Sequence, residues 1–178
     1  MEYVYLVASL PALELTTAPR ISSAELLASS GGVLRPDHRE DLRAVLEDRP
    51  ADVRAAELRS YLDAETQLRN AVASLRAARA GAGYDAGAHP TAGFDARCAG
   101  VAERAMELDD PRERELALDR LRWTLLDELA VAPPFGFQAV LAYGLKLRLA
   151  EKWAAMDEAE GLRVAAGISE AVLAGSVA

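Results

Sequence analysis

The stretch Tyr3-Val4-Tyr5-Leu6-Val7-Ala8-Ser9-Leu10, closed by Pro11, decides the fold class. Its aromatic and β-branched residues favour a strand by local propensity. A strand needs a pairing partner, however, and no other segment offers an alternating or β-branched run bounded by turn signals. A lone strand would leave its backbone N–H and C=O groups unpaired. The stretch therefore reads as a short helix in which Tyr3, Leu6, Val7 and Leu10 face a core and Pro11 ends the run. No apolar run approaches the roughly 20 residues that cross a bilayer, so no direct membrane span is expected. Glu2 stands where a secretory leader carries basic charge, so the stretch is expected to stay with the mature protein.

Outward from this run, the rest of the chain carries helix punctuation. Ser22 as N-cap, Glu25 three residues on and the apolar pair Ile21 and Leu26 make a capping box with a hydrophobic staple, ended by Gly31-Gly32. Asp37 and Glu40 repeat the cap-to-Glu spacing, with Leu42, Val45 and Leu46 on one face before Pro50. From about Asp52 to Ala80, Leu58, Tyr61, Leu62, Leu68, Val72 and Leu75 recur at three- and four-residue spacing, as in a long amphipathic helix. The segment Gly81 to Gly93 is the clearest break and reads as a flexible loop. A helix from about Phe94 to Leu108 follows, and then Asp110, Pro111 and Glu113 supply N-cap, first-turn proline and acidic third position. In that next helix Leu118, Leu121, Leu125 and Leu129 form one stripe and Leu116, Trp123 and Leu126 another, which implies neighbours on two sides. The run from Phe137 to Met156 begins apolar all round, as a central helix does, and Gly144 within it predicts a close crossing. Asp157 and Glu160 form a last capping box.

The chain has 178 residues, 51% hydrophobic and 27% charged, a globular balance weighted towards the helix formers Ala and Leu. It reads as one all-α domain over 1–178, a bundle of about six or seven amphipathic helices with a flexible loop near 81–93. Its formal net charge of -8 and the interleaving of arginines with carboxylates exclude a nucleic-acid groove and favour a protein partner presenting basic loops.

Chemistry-bearing patterns are scarce. The single cysteine, Cys98, fits a reducing compartment and a small buried residue better than a nucleophile activated by His38 or His89. Those two histidines show no metal-ligand spacing. The glycines after Gly81 do not make a dinucleotide fingerprint, because Ala86 stands at the third glycine position and no strand precedes them. No catalytic, cofactor-binding or metal residue is assigned. Asp109, Asp110, Glu113 and Glu115 fit capping and a solvated face, and Trp123 and Trp153 fit anchors between helices. The series Glu65, Arg69, Arg76, Arg79 is less ordinary: charges on an apolar stripe either pair inside a bundle or mark a docking face. Arg148, Glu151 and Lys152 pose the same choice. These seven residues are the candidate protein interface.

Four segments together resemble one family. They are YVYLVASLPAL at Tyr3 to Leu13, ETQLRNAVASLRAARAG at Glu65 to Gly81, LDRLRWTLLDEL at Leu118 to Leu129, and FGFQAVLAYGLKLRLAEKWAAMDEAEG at Phe135 to Gly161. The family is a little-characterised bacterial one whose genes accompany those of the V-type ATPase. It is distantly similar to the C-type component of that ATPase, known as the d-type component in eukaryotes. The first and last segments carry most of the resemblance, through Tyr3, Tyr5 to Pro11, Tyr143, Lys146, Leu147, Glu151, Trp153, Asp157 and Gly161, and Arg69, Asn70 and Arg76 are similar to the pattern of the long helices of the C-type component. The resemblance implies a cytoplasmic, all-helical adaptor without an active site of its own, peripheral to the membrane, joining the central stalk to the membrane rotor ring of a proton- or sodium-translocating ATPase. The chain is much shorter than the C-type component, with its three similar domains. An assembly or regulatory factor for the same complex is the second expectation. A small-molecule-binding protein or enzyme, with its site between Gly81 to Gly93 and the Trp123 helix, is the third.

Overall fold

The most apolar run of the sequence forms the helix around which the others are arranged. In the computed structural model, which describes residues 2–81, 89–131, 133 and 135–156, this helix spans Phe137–Ala155 and is α7. Among the described residues six α-helices precede it: α1 (Val4–Ser9), α2 (Ser23–Ser29), α3 (Pro36–Leu46), α4 (Arg59–Arg79), α5 (Ala96–Glu107) and α6 (Pro111–Val131). The described residues contain no strand, so the all-α reading holds. In its first half α7 buries Phe137, Gln138, Ala139, Val140, Leu141 and Ala142 in succession, because it has neighbours all round. α6 packs on one side of α7 and α3 on another, while α4 and α5 pack on each other and against α6. Gly144 makes the α3–α7 approach possible: a Cβ there would lie 3.0 Å from Leu42 Cδ1 and 3.3 Å from Val45 Cγ1.

The opening run is the expected short helix, and it is docked on the start of α7. Tyr3 and Leu6 are buried, Val7 and Leu10 pack against the core, and Tyr5 is 92% exposed. The Tyr3 N–H donates to the Phe135 carbonyl at 3.1 Å, and the Tyr3 ring sits edge-on to Phe137. His38 stacks on Phe137 at 3.8 Å between centroids and shares a 2.7 Å hydrogen bond between Nδ1 and the Tyr3 hydroxyl. Further along, the Tyr143 hydroxyl of α7 donates to the Pro11 carbonyl at 2.9 Å. Burial pushes the Tyr143 phenol up to about 12. A six-residue helix has almost no stability alone, so these contacts hold it.

The capping box at α2 forms as read, with Ser22 and Glu25 bonding each other's backbone N–H groups. The Ser22 N–H and hydroxyl, both donating to the Glu25 carboxylate at 2.8 Å, hold that carboxyl below its usual range. Two expected boundaries move. Asp37 is not the N-cap of α3; Arg35 occupies that position and Pro36 opens the helix, since its fixed φ suits the first turn. The long helix expected from about Asp52 begins only at Arg59. The intervening residues form tight turns over Pro50–Asp52 and Ala56–Leu58 around an extended Val53. Buried Asp41 holds that path by accepting from the Arg54 and Ala55 N–H groups at 3.2 and 3.1 Å. The capping box expected at Asp157 and Glu160 lies outside the described residues, as do residues 82–88 of the glycine segment.

The C-termini of α3 and α4 make an informative pair. After α3 the Asp48 N–H donates to the Val45 carbonyl and the Arg49 N–H to the Ala44 carbonyl, the two bonds of a Schellman motif. Its left-handed residue is Asp48, at φ 59°. The matching position after α4 is Gly81, at φ 69°. An aspartate in this conformation carries a Cβ penalty that glycine avoids. Asp48→Gly is therefore expected to raise stability by about 0.5–1 kcal/mol, read as a higher denaturation midpoint. Asp48→Val, β-branched at positive φ, should lower it.

Candidate functional site

Glu65 lies one helical turn before Arg69 on α4, and Arg69 Nε donates to Glu65 Oε1 at 2.7 Å, the local pair its spacing predicts. The stronger partner comes from another helix. Arg122 on α6 donates to both Glu65 oxygens, at 2.8 and 3.2 Å, and to Asp119 Oδ1 at 2.7 Å. Asp119 has no exposed surface. Its second oxygen accepts from the Trp153 indole N–H at 2.8 Å and from Lys152 at 2.5 Å, both on α7. Lys152 also donates to Glu115 at 2.8 Å. Three helices are thus tied by a chain of alternating charges. Burial opposes the charge on Arg122, but its bonds to Glu65 and Asp119 outweigh that and hold the guanidinium more firmly protonated than usual. Burial, with the Glu65 charge beside it, pushes the neighbouring Tyr61 phenol well above its ordinary value.

A cavity of about 310 Å³ opens over this cluster and is lined by Glu65, Arg69, Arg148 and Lys152, four of the candidate interface residues. Arg148 Nη1 is 3.4 Å from Glu151, while its Nε is buried without a hydrogen-bond partner among the described residues. Glu151 faces elsewhere: its carboxylate accepts from the Ser23 N–H and hydroxyl, both at 2.7 Å, and so caps α2. Arg79 donates to the Met106 carbonyl near the end of α5, and Arg76 stands exposed on α4. The seven residues are therefore not one patch. The sequence reading missed Asp119 and Arg122, although two signals pointed to them. Glu115, Asp119 and Arg122 sit at helical spacing between two leucine stripes, and a buried tryptophan needs an acceptor for its N–H.

A concavity of about 920 Å³ runs between α4, the segment before α5 and the C-terminal half of α6. Its apolar floor includes Tyr61, Ala64, Leu125 and Leu129, and its rim carries Glu57, Arg59, Asp63, Asp95, Arg97 and Glu128. Side chains of α4 fix the chain that forms one wall. Asn70 bonds both backbone groups of His89, at 3.1 and 2.9 Å. Asp63 accepts from the Ala92 N–H at 3.2 Å and Gln67 from the Asp95 N–H at 2.7 Å. Arg97 bridges Asp95 at 2.7 Å and Glu128 at 2.5 Å. Hydrogen bonds to Arg97 lower the pKa of both carboxyls. Phe94, between two anchored neighbours, is 83% exposed. Both walls of the third sequence expectation, the end of the glycine segment and the Trp123 helix, border this groove.

Cys98 is 1% exposed and its Sγ–H donates to the Ala64 carbonyl at 3.4 Å, so neither histidine activates it. Burial pushes its thiol pKa up, which lowers the thiolate fraction at any given pH. Ellman's reagent should label native protein at least about 100-fold more slowly than urea-unfolded protein; equal rates would contradict this burial. Among the described residues no group of His, Cys, Asp and Glu side chains is arranged to hold a metal ion.

One family model matches residues 101–172, under half of the chain; it is described as a protein of unknown function, DUF2764. The match takes in the second half of α5 and all of α6 and α7, and with them Asp119, Arg122, Lys152 and Trp153. No curated protein and no solved structure matches. No helix among the described residues is long and apolar enough to cross a membrane.

Proposed function

We propose that this chain is a helical adaptor that acts by touching other proteins: a V-type ATPase component of the C-type kind, without an active site of its own, joining the central stalk to the membrane rotor ring on the cytoplasmic side. The observation that carries this reading is the meeting of the two segments in which the resemblance is strongest. Tyr3 rests on Phe135 and Phe137, and Tyr143 reaches back to Pro11. Residues 132 positions apart in sequence thus form one structural unit at the base of α7, as a shared fold requires. The all-helical bundle and the net charge of -8 are also what an adaptor meeting basic loops would have. Asp157 and Gly161, which also carry the resemblance, lie outside the described residues.

Copurification tests the proposal. Tagged protein should be recovered with rotor and stalk proteins in fixed stoichiometry from active complexes. Recovery only with immature complexes would make it an assembly or regulatory factor, and turnover of a metabolite by the purified chain alone would end the adaptor reading. Charge reversal at Arg76 is the suitable probe of the long helix, because that side chain is exposed. Reversal at Arg79 removes a bond to the Met106 carbonyl and reports on the bundle's own stability.

A further inference from the structure

We propose that the groove between α4 and α6 is the seat of a basic amphipathic segment of a partner protein, an inference that rests on the adaptor reading and locates its contact. The floor offers Tyr61, Leu125 and Leu129, and Phe94 stands at its edge with its ring in water. That ring is held on a fixed backbone, because Gln67 accepts from the Asp95 N–H and Asp63 from the Ala92 N–H. A prearranged aromatic anchor loses little freedom on binding.

The charge of the groove selects the partner. Glu57, Asp63, Asp95 and Glu128 outnumber Arg59 and Arg97 in its lining, and Arg97 is already paired with Asp95 and Glu128. The C-terminal end of α6 borders the groove with Glu128 near it and no basic residue in its last turn. A helix C-terminus carries partial negative charge that a cation stabilises, and here α6 itself supplies none. Lysines or arginines flanking an apolar face meet both needs. A small polar ligand fits less well, because Gln67, Asp63, Arg97 and their partners are already committed to one another and few polar groups converge on the space.

The test uses the full chain and two synthetic helical peptides of leucine with lysine and of leucine with glutamate, otherwise identical. Binding is followed by fluorescence anisotropy and mapped by amide chemical shifts. The lysine peptide should bind, weaken as salt rises, and shift amides around Tyr61, Phe94 and Leu129. Phe94→Ala and Glu57→Lys, both at exposed positions, should each weaken it about tenfold with an unchanged far-ultraviolet spectrum. Equal binding of the glutamate peptide, shifts centred elsewhere, or wild-type affinity in Phe94→Ala would overturn the assignment. So would a dimer abolished by Phe94→Ala, which would give the groove to a second copy of the chain. Failure here alongside recovery with the ATPase removes only the groove; groove binding without that recovery removes the ATPase adaptor reading instead.

Discussion

Replacing Asp119 by alanine is expected to lower unfolding stability by about 3–5 kcal/mol, the loss that follows when one member of a buried ion pair is removed. Asp119 is fully buried and is the acceptor for Arg122, Lys152 and Trp153. Alanine leaves an indole N–H and a guanidinium that is only 16% exposed facing an apolar methyl. Against the roughly 5–15 kcal/mol total of a typical domain, this is a large fraction. The urea midpoint should fall accordingly, and Asp119→Asn, which keeps a hydrogen-bond acceptor, should lose less. Apolar replacement of Asp119, Arg122 and Glu65 together should recover much of the loss, because desolvating charges is itself unfavourable. A loss below about 1 kcal/mol in Asp119→Ala would mean that the cluster does not hold α4, α6 and α7 together.

The second large effect belongs to Gly144. Leucine there is expected to cost about 3 kcal/mol by overpacking, since the space that a side chain would enter is filled by Leu42 and Val45 of α3, both buried. Alanine is a finer test. It gains about 1 kcal/mol of helix propensity over glycine but places a methyl 3.0 Å from Leu42 Cδ1, so its net effect should be a small loss. Leu42→Ala alone should lose about 2–5 kcal/mol through a cavity. In the Leu42→Ala background Gly144→Leu should cost at least about 1 kcal/mol less than in the wild type, a coupling expected only of residues in contact. Equal losses in both backgrounds would show that the two helices do not cross at this point.

These two positions differ in how they could be read from the sequence. Gly144 was legible because an isolated glycine inside a strongly apolar helix has few other uses. The opening helix was legible by exclusion, since a strand at Tyr3 to Leu10 had nothing to pair with. Local signals of this kind also placed α2, α6 and α7. The start of α4 was not legible, because the residue that unwinds the preceding segment, Asp41, acts across 13 and 14 positions of sequence. Asp119 and Arg122 were only partly legible for the same reason. Their partners sit on α4 and α7, and spacing along α6 can show only that a polar stripe exists. The groove depends on three separate stretches meeting, which no single helix period encodes.

The docking of α1 also sets an order of events during synthesis. Tyr3 and Leu6 belong to the buried core, Tyr3 by packing on Phe137 and bonding the Phe135 carbonyl, and at about 5–20 residues per second the ribosome takes on the order of 10 s to supply those partners. Until then these side chains are sticky surface on a nascent chain, a natural target for a chaperone. Ribosome-arrested chains stopped before Phe135 should be cut by protease near Tyr5, whereas released full-length chains should resist.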